Sequence, residues 1–211
     1  MYTPAFFAAS PETVDELLSG LRAADLVTTT EDGLAATFLP LLFDPDHGGE
    51  HGALLGHVAR ANDHWRRPAI GEALVIVHGV DGYVTPSWYA SKAEHGRVVP
   101  TWNYVTAHIY GELIVHDDIA WVEDVVRRLT DRHEAGREHP WSADDAPADY
   151  FAGQLRAIVG VEVRITRIEA KAKLSQNRPA ADIEGVIAGA ARDGARAHAD
   201  AVEAARPEGK R

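Results

Sequence analysis

Leu26-Val27-Thr28-Thr29-Thr30-Glu31-Asp32-Gly33-Leu34 opens the stretch, residues 26–43, on which the fold turns. β-Branched residues run up to Thr30, Glu31-Asp32-Gly33 supplies a turn, and Leu34 to Phe43 reads as a second strand. An Asp-Gly step between two such runs is a hairpin signature, because glycine supplies the positive φ of a tight turn. The pairing it predicts is antiparallel.

Upstream, Ser10 caps and Pro11 starts a helix. Its apolar positions Val14, Leu17, Leu18 and Leu21 predict about four turns. Downstream, Asp44 to Gly52 is a surface loop and Ala53 to Val58 a third strand. Asn62-Asp63-His64-Trp65 opens a short helix that stops by Pro68. Ala73 to Val80 is a fourth strand, and its apolar run predicts burial on both sides. Asp81-Gly82 is read as a turn, and Tyr83-Val84-Thr85 extends again. Ser91 to Pro100 is polar and reads as a loop, and Tyr104 to His116 is a long β stretch. Asp117-Asp118 caps a second helix with Ile119, Val122, Val126 and Leu129 on its apolar face. Glu123–Arg127 and Asp124–Arg128 add favourable i,i+4 pairs on that helix. His139 to Ala148 is a connection, Tyr150 to Val159 a short helix, and Val161 to Ile165 an alternating, half-exposed strand. An Ala-rich helix begins near Asp182 with Ile183, Val186 and Ile187 on one face. The end, from about Arg206, is charged and reads as frayed. Six or seven strands with few helices do not alternate as βαβ units would, so the fold class is mainly β with flanking helices (α+β), a small antiparallel barrel.

The chain has 211 residues, 21 Lys+Arg and 32 Asp+Glu, and a formal charge of −11. Such acidity disfavours direct DNA binding, since it lacks the field that draws polyanions. The helix over 117–134 carries Arg127, Arg128 and Arg132, but also Asp118, Glu123, Asp124, Asp131 and Glu134, and is not a basic recognition helix. With no cysteine, disulfides, thiolate catalysis and zinc–thiolate or iron–sulfur sites are excluded. No run approaches the roughly 18–20 apolar residues of a membrane span, and the N-terminus has no secretory signal pattern. A cytoplasmic location is the expectation.

His47-Gly48-Gly49-Glu50-His51 has the H-x-x-E-H pattern of inverted zinc proteases, but that motif works only on a helix, and Gly-Gly after Asp-Pro-Asp argues against one. No metal is expected there. Ser87 and His108 could join an acid on paper, without any nucleophile elbow to support a triad. No P-loop and no G-x-G-x-x-G is present, and no catalytic acid or base declares itself.

Three stretches stand apart: Gly56-His57-Val58-Ala59-Arg60-Ala61-Asn62; Tyr83 to Tyr104, which contains Ser87-Trp88-Tyr89-Ala90-Ser91-Lys92 and Val99-Pro100-Thr101-Trp102-Asn103-Tyr104; and Lys173-Leu174-Ser175-Gln176-Asn177-Arg178. Each mixes hydroxyl, amide and cationic groups near strand ends. Cations and hydroxyls suit a phosphate, aromatic rings offer flat walls, and amides read ring carbonyls and nitrogens. An anionic heteroaromatic ligand wants this inventory. The aromatic residues could equally fill the barrel, with the cations in solvent.

Together with His108-Ile109-Tyr110-Gly111 and the opening Met1-Tyr2-Thr3-Pro4, these motifs resemble the PaiB-like, FMN-binding negative transcriptional regulator family over nearly the whole chain. The resemblance implies an antiparallel split β-barrel of the FMN-binding, pyridoxamine-phosphate-oxidase-like type, over residues 1–178, followed by a C-terminal helix and tail over 179–211. It implies a homodimer with FMN in a groove at the subunit interface. By motif position, Arg60 and Lys92 would be the phosphate cations, with His57 and Asn62 beside them. Ser87, Trp88 and Tyr89 would line the ring or ribityl chain, Thr101, Trp102 and Asn103 would reach over from the partner subunit, and Lys173, Ser175 and Gln176 would close the site. The family label implies transcriptional regulation. An FMN-dependent oxidoreductase, using reduced nicotinamide and a small acceptor, is the alternative. A haem-binding split barrel with an axial His57 or His108 is a third reading.

Overall fold

The computed structural model describes residues 1–207 and 209. Among the described residues six strands form a ring: β1 (Ala23–Thr30), β2 (Gly33–Asp44), β3 (Ala53–Ala59), β4 (Ala73–Val84), β5 (Thr101–His116) and β6 (Ile158–Lys173), in the order β1-β2-β3-β6-β5-β4. The registered pairs β1–β2, β1–β4, β2–β3 and β3–β6 are all antiparallel. This is the antiparallel split barrel with flanking helices that the sequence leads one to expect. The deciding hairpin forms as read. Thr30 pairs with Gly33 across Glu31-Asp32, and Gly33 takes φ +105° with nothing near its missing Cβ. Its role is backbone conformation rather than space.

The chain divides into two compact units. One holds Leu18–Val77 and His108–Ile168. Here Leu42, Ala53 and Leu55 of β2 and β3 pack against Val125 and Leu129 of α3 (Ile119–Glu134). The Asp118 carboxylate caps α3 by accepting from Trp121 N at 2.9 Å. The face α3 buries is Val122, Val125 and Leu129, whereas Ile119 is half exposed. The expected face was therefore rotated by about one position. The 150s helix runs Ala148–Arg156, and β6 begins at once after it. Residues 159–163 of β6 are all buried, so this part of the strand is not half exposed.

The inward placement of Glu162 explains that departure. Its side chain is 1% exposed and accepts from Arg164 Nε and contacts His116 Nε2, both at 2.7 Å. Burial pushes this carboxyl up, but the hydrogen bonds from Arg164 and His116 and the Arg164 charge outweigh it, and the net shift is downward.

The other unit holds Met1–Leu17, His78–Ala107 and the chain from Glu169 on. Its core is Val84, Tyr89, Ala172, Leu174, Ile183, Val186 and Val202, drawn from strand ends and from α5 (Ala180–Arg192) and α6 (Arg196–Ala204). The first helix, α1 (Pro11–Ser19), has nine residues rather than four turns. Ser10 Oγ accepts from Thr13 N at its start. β4 runs unbroken through Asp81-Gly82 and alternates in burial. Gly82 makes no turn because its role is contact: an added Cβ would lie 2.3 Å from the His198 ring. The polar stretch after Ser91 holds a short helix, α2 (Ser91–His95), closed by Gly96 at φ +65°. Arg206 is tied down by Glu184 at 2.6 Å; of the tail expected to fray, residues 208, 210 and 211 lie outside the described residues. No described helix is long and apolar enough to cross a membrane.

Glu162→Gln is expected to lower stability at pH 7 by about 2 kcal/mol, less than the roughly 3–5 kcal/mol of a fully buried broken pair, since Arg164 is half exposed. Because the folded carboxyl titrates below its ordinary 4.5, the advantage is complete above that pH. It is lost as pH falls through the folded value. Urea unfolding of both proteins between pH 3 and 7 checks this, and a gap that stays constant with pH would contradict it.

Candidate functional site

β5 opens on Thr101-Trp102-Asn103 and β6 closes on Lys173. Lys173 Nζ donates to Thr101 Oγ1 at 2.5 Å and to the Trp102 carbonyl at 2.6 Å. Burial lowers the Lys173 pKa, with the charges of Lys171 and Arg178 acting the same way and Tyr104 opposing them. An added anion would relieve this ammonium. Lys171 and Lys173 both stand over the Tyr104 ring, at 5.3 and 6.0 Å, within cation–π range.

Asn103 is fully buried. Its Nδ2 donates to Ser175 Oγ at 3.1 Å and lies 3.0 Å from His198 Nε2. Ser175 Oγ donates back to Asn103 Oδ1 at 3.2 Å. If the amide donates to both neighbours, His198 is neutral and carries its proton on Nδ1. Ser175 holds φ +68°, a conformation serine rarely adopts, and the reciprocal bond with Asn103 secures it. Phe7, Thr101, Asn103, Lys173, Ser175, Asn177 and Arg178 line a small cavity of about 80 Å³, polar side chains with one aromatic ring. On the strand position between Thr101 and Asn103, Trp102 pairs with Tyr83, with ring centroids 5.9 Å apart and each ring about half exposed.

The other expected residues of this unit fall into two kinds. Lys92 Nζ donates to Ser87 Oγ at 3.1 Å, both exposed. Trp88 and Tyr89 serve packing. A Cβ on Gly185 would lie 1.8 Å from the Trp88 carbonyl oxygen, and one on Gly189 2.4 Å from its indole, so α5 is grooved to seat Trp88. Tyr89 is 3% exposed beneath the Arg178 guanidinium, 4.5 Å from the ring centroid. Gln176 spends its amide on the strand end, accepting from Leu174 N at 2.7 Å and donating to the Ala172 carbonyl at 2.6 Å. Asp182, which the motifs did not mark, is 1% exposed and holds Ser91 through N at 2.9 Å and Oγ at 2.7 Å. Asn177 and Arg178 were also passed over, although they end the same motif.

His57, Arg60 and Asn62 lie in the other unit. The Arg60 guanidinium donates to both Asp117 oxygens, at 3.1 and 2.5 Å, and to the carbonyls of Arg156 and Ile158. Its charge is committed there. Asn62 caps the next turn, accepting from His64 N at 2.9 Å, and donates to Thr37 Oγ1 at 3.1 Å. His57 Nδ1 is buried without a hydrogen-bond partner. In the H-x-x-E-H stretch, Gly48 and Gly49 take φ +84° and +130°, so the helix that motif requires does not form. His47 instead lies 3.4 Å from Glu162.

Residues 1–167 match the protein family described as "Putative FMN-binding domain". "Protease synthase and sporulation protein PAI 2" of Bacillus subtilis is 31% identical over 189 residues, covering 89% of this chain and 87% of that protein. Among solved structures, the flavocytochrome Anf3 of Azotobacter vinelandii superposes with a TM-score of 0.55 at 16% identity, over 77% of this chain and 67% of that one. An FAD and heme binding protein of Mycobacterium smegmatis gives 0.54 at 18% identity, over 78% and 71%. At these identities the two structures speak for the fold alone.

Burial lowers the pKa of His57, His64 and His198 below the ordinary 6.5. Folded imidazoles that resist protonation stabilise fully above that value, and the contribution is lost as pH falls through their folded values. Thermal midpoints are expected to drop between pH 7.5 and 5, less steeply in His198→Gln. A midpoint that is level over this range would exclude the linkage.

Proposed function

Because the chain belongs to this family of FMN-binding domains, with a flavin as its cofactor, we propose that it is a flavin-binding regulatory module that works as a homodimer. The observation that carries the reading is the small polar cavity at the ends of β5 and β6. It joins two cations, Lys173 and Arg178, to the hydroxyls of Thr101 and Ser175 and the amides of Asn103 and Asn177. A phosphate monoester wants this donor set. About 80 Å³ is more than the roughly 30 Å³ a water occupies and far less than a whole flavin. The cavity therefore suits the phosphate end, and Phe7 adds an aromatic surface to its lining. Bound FMN supplies hydride and electron transfer. This chain's own residues neutralise the phosphate, orient it and offer the ring an apolar surface. No carboxylate lines the cavity among the described residues, and His198 is reached only through a buried amide. The cavity thus offers an oxidoreductase no carboxylate or imidazole among the described residues.

For the homodimer, the support is an apolar outer sheet face. Leu34, Phe38 and Ile70 are 77%, 69% and 55% exposed. The β-register sets Phe38 beside Asp25 and Ile76, and Ala36 beside Val27 and Leu74. Asp25 interrupts this face, but the apolar positions on either side of it form a patch three strands wide of the kind that marks an interaction surface, and a second copy offers the same patch back across a two-fold axis. Direct DNA reading has little to work with. Arg127 pairs with Glu123 and Asp144, and Arg128 with Asp44 and Asp124, so two of the three α3 arginines are already paired with carboxylates, and the third, Arg132, donates to the Ser19 carbonyl. Regulation would then pass through a protein contact.

Lys173→Ala and Arg178→Ala are each expected to weaken FMN binding about tenfold or more, the value of a charge-assisted contact, and to leave riboflavin affinity unchanged. Equal losses for the two ligands would remove the phosphate from this cavity and return it to Arg60 and Lys92. NADPH that bleaches the bound flavin with turnover of an acceptor would favour the oxidoreductase. Phe38→Asp is expected to convert a dimer to a monomer by size exclusion with light scattering, and an unchanged mass would exclude that face.

A further inference from the structure

Asn103 lines the polar cavity, and its amide also meets His198. His198 is 2% exposed and lies against Gly82, where an added Cβ would be 2.3 Å from Nδ1. Asp81 of β4 acts on its charge, the neutral Asn103 of β5 faces its Nε2, and α5 meets α6 through the uncharged Ile183, Val186 and Val202. Lys173 and Arg178 line the cavity with Asn103. The same unit holds a larger groove of about 750 Å³, walled among others by Ala8, Gly79, Ala172, Leu174, Ala201 and Ala205, with no Lys, Arg or His among the described residues that line it. An anion entering this unit therefore goes to the polar cavity.

Hydrogen counting limits what the empty cavity offers that anion. An amide has two donor hydrogens and one acceptor oxygen, and a hydroxyl has one hydrogen. With His198 neutral, Asn103 Nδ2 donates to His198 Nε2 and to Ser175 Oγ, and Ser175 Oγ donates to Asn103 Oδ1. The serine hydrogen is committed inside the network. If an anion took it, the buried Oδ1 would lose its donor, which is costly. One added proton resolves the conflict. In this arrangement His198 Nδ1 already carries a proton, so the second goes on Nε2, and the Asn103 amide turns over to present Oδ1 to it. Ser175 Oγ lies 3.1 and 3.2 Å from the two ends of the amide, so the turned amide still donates to Ser175 from Nδ2. The serine hydrogen and the second Nδ2 hydrogen are then released for the anion.

We propose that an anion in the cavity is bound together with a proton taken up by His198, a positioning residue that sets the orientation of the Asn103 amide and frees the Ser175 hydroxyl to donate to the anion. This rests on the reading that the cavity receives the phosphate of FMN. Burial keeps the empty-state pKa of His198 below 6.5, against the pull of Asp81, and a negative charge brought near draws it up. Affinity for the anion accordingly rises as pH falls through the bound-state value and levels off below the empty-state value.

The test is FMN and riboflavin titrated by flavin fluorescence between pH 5.5 and 8 into the unsubstituted protein, His198→Gln and Ser175→Gly. Glutamine can offer Asn103 either an acceptor or a donor without a change of charge, and glycine tolerates a positive φ but has no hydroxyl. The ionisation of the phosphate monoester itself, at about pH 6, is common to all three proteins and cancels in their ratios. The FMN affinity of the unsubstituted protein relative to each variant is expected to rise about three- to tenfold from pH 7.5 to 5.5, with the riboflavin ratios level. Parallel profiles for the unsubstituted protein and His198→Gln would overturn the proposal. So would a rise that survives in Ser175→Gly, since the field of the anion alone would then account for it. Where a variant does not fold, the imidazole of His198 followed by NMR decides: it is expected to titrate at a higher pH with FMN bound than with riboflavin bound, and equal values would overturn the proposal. If Lys173→Ala still weakens FMN and spares riboflavin, such a result removes the proton coupling alone. If Lys173→Ala affects both ligands equally, the phosphate reading falls and the coupling with it.

Discussion

A primary amide buried to zero exposure has no water to fall back on, and Asn103 is such a group. Leaving its donors unmet would cost on the order of 1–3 kcal/mol. Its partners are therefore a constraint on the whole unit. Ser175 must come from the end of β6 and His198 from α6. One side chain at the start of β5 thus fixes three elements that are distant in sequence. The constraint propagates further. His198 can lie where it does only because Gly82 has no Cβ, and Ser175 can hold φ +68° only because Asn103 bonds it reciprocally. Lys173 and Asn177 flank Ser175, so the same network places the cavity's lining.

Charge is distributed with comparable economy. The chain is strongly acidic, and several of its arginines meet carboxylates locally: Arg60 with Asp117, Arg127 with Glu123 and Asp144, Arg164 with Glu162. The ammonium groups of Lys171 and Lys173 instead meet carbonyls, a hydroxyl and the Tyr104 ring. Neutral acceptors hold a cation in place without cancelling its charge. Arg60, in a motif of similar composition, is instead bonded to both oxygens of Asp117. Displacing Asp117 from Arg60 would cost an existing ion pair. Approaching Lys173 costs none and relieves its repulsion from Lys171 and Arg178.

What could be read in the sequence follows from how local its cause is. The β1–β2 hairpin and the Asp118 cap depend on residues within one turn of each other, and both form as read. Asp81-Gly82 looks like a turn by composition and is straight strand, because the reason for its glycine sits at His198. Glu162 looked like the exposed half of an alternating strand and is buried, because His116 and Arg164 satisfy it there. In the site, Thr101, Asn103, Lys173 and Ser175 were legible as hydroxyl, amide and cation near strand ends. Gln176 shares that chemistry and spends it on its own backbone. Trp88 shares the aromatic signal and spends it on a seat in α5. Residue type announces a capacity, and only packing tells whether that capacity is already used.

The end of β6 shows how little sequence separates two opposite chemistries. Lys173 ends β6, and the turn that follows, with Ser175 in the left-handed region, leaves Lys173, Ser175 and Asn177 on the cavity and Ala172, Leu174 and Gln176 on the groove. The polar set can be seen in sequence because it consists of groups that do something. The groove on the other side consists of alanines and a glycine, which signal helix propensity or a turn and never a void. A cavity is made by what side chains omit, and that omission depends on elements that pack together from both ends of the chain: α1, α6 and the strand between. Ala172 and Leu174 share one stretch of backbone with Lys173 and Ser175, and Asn103 anchors that stretch through Ser175.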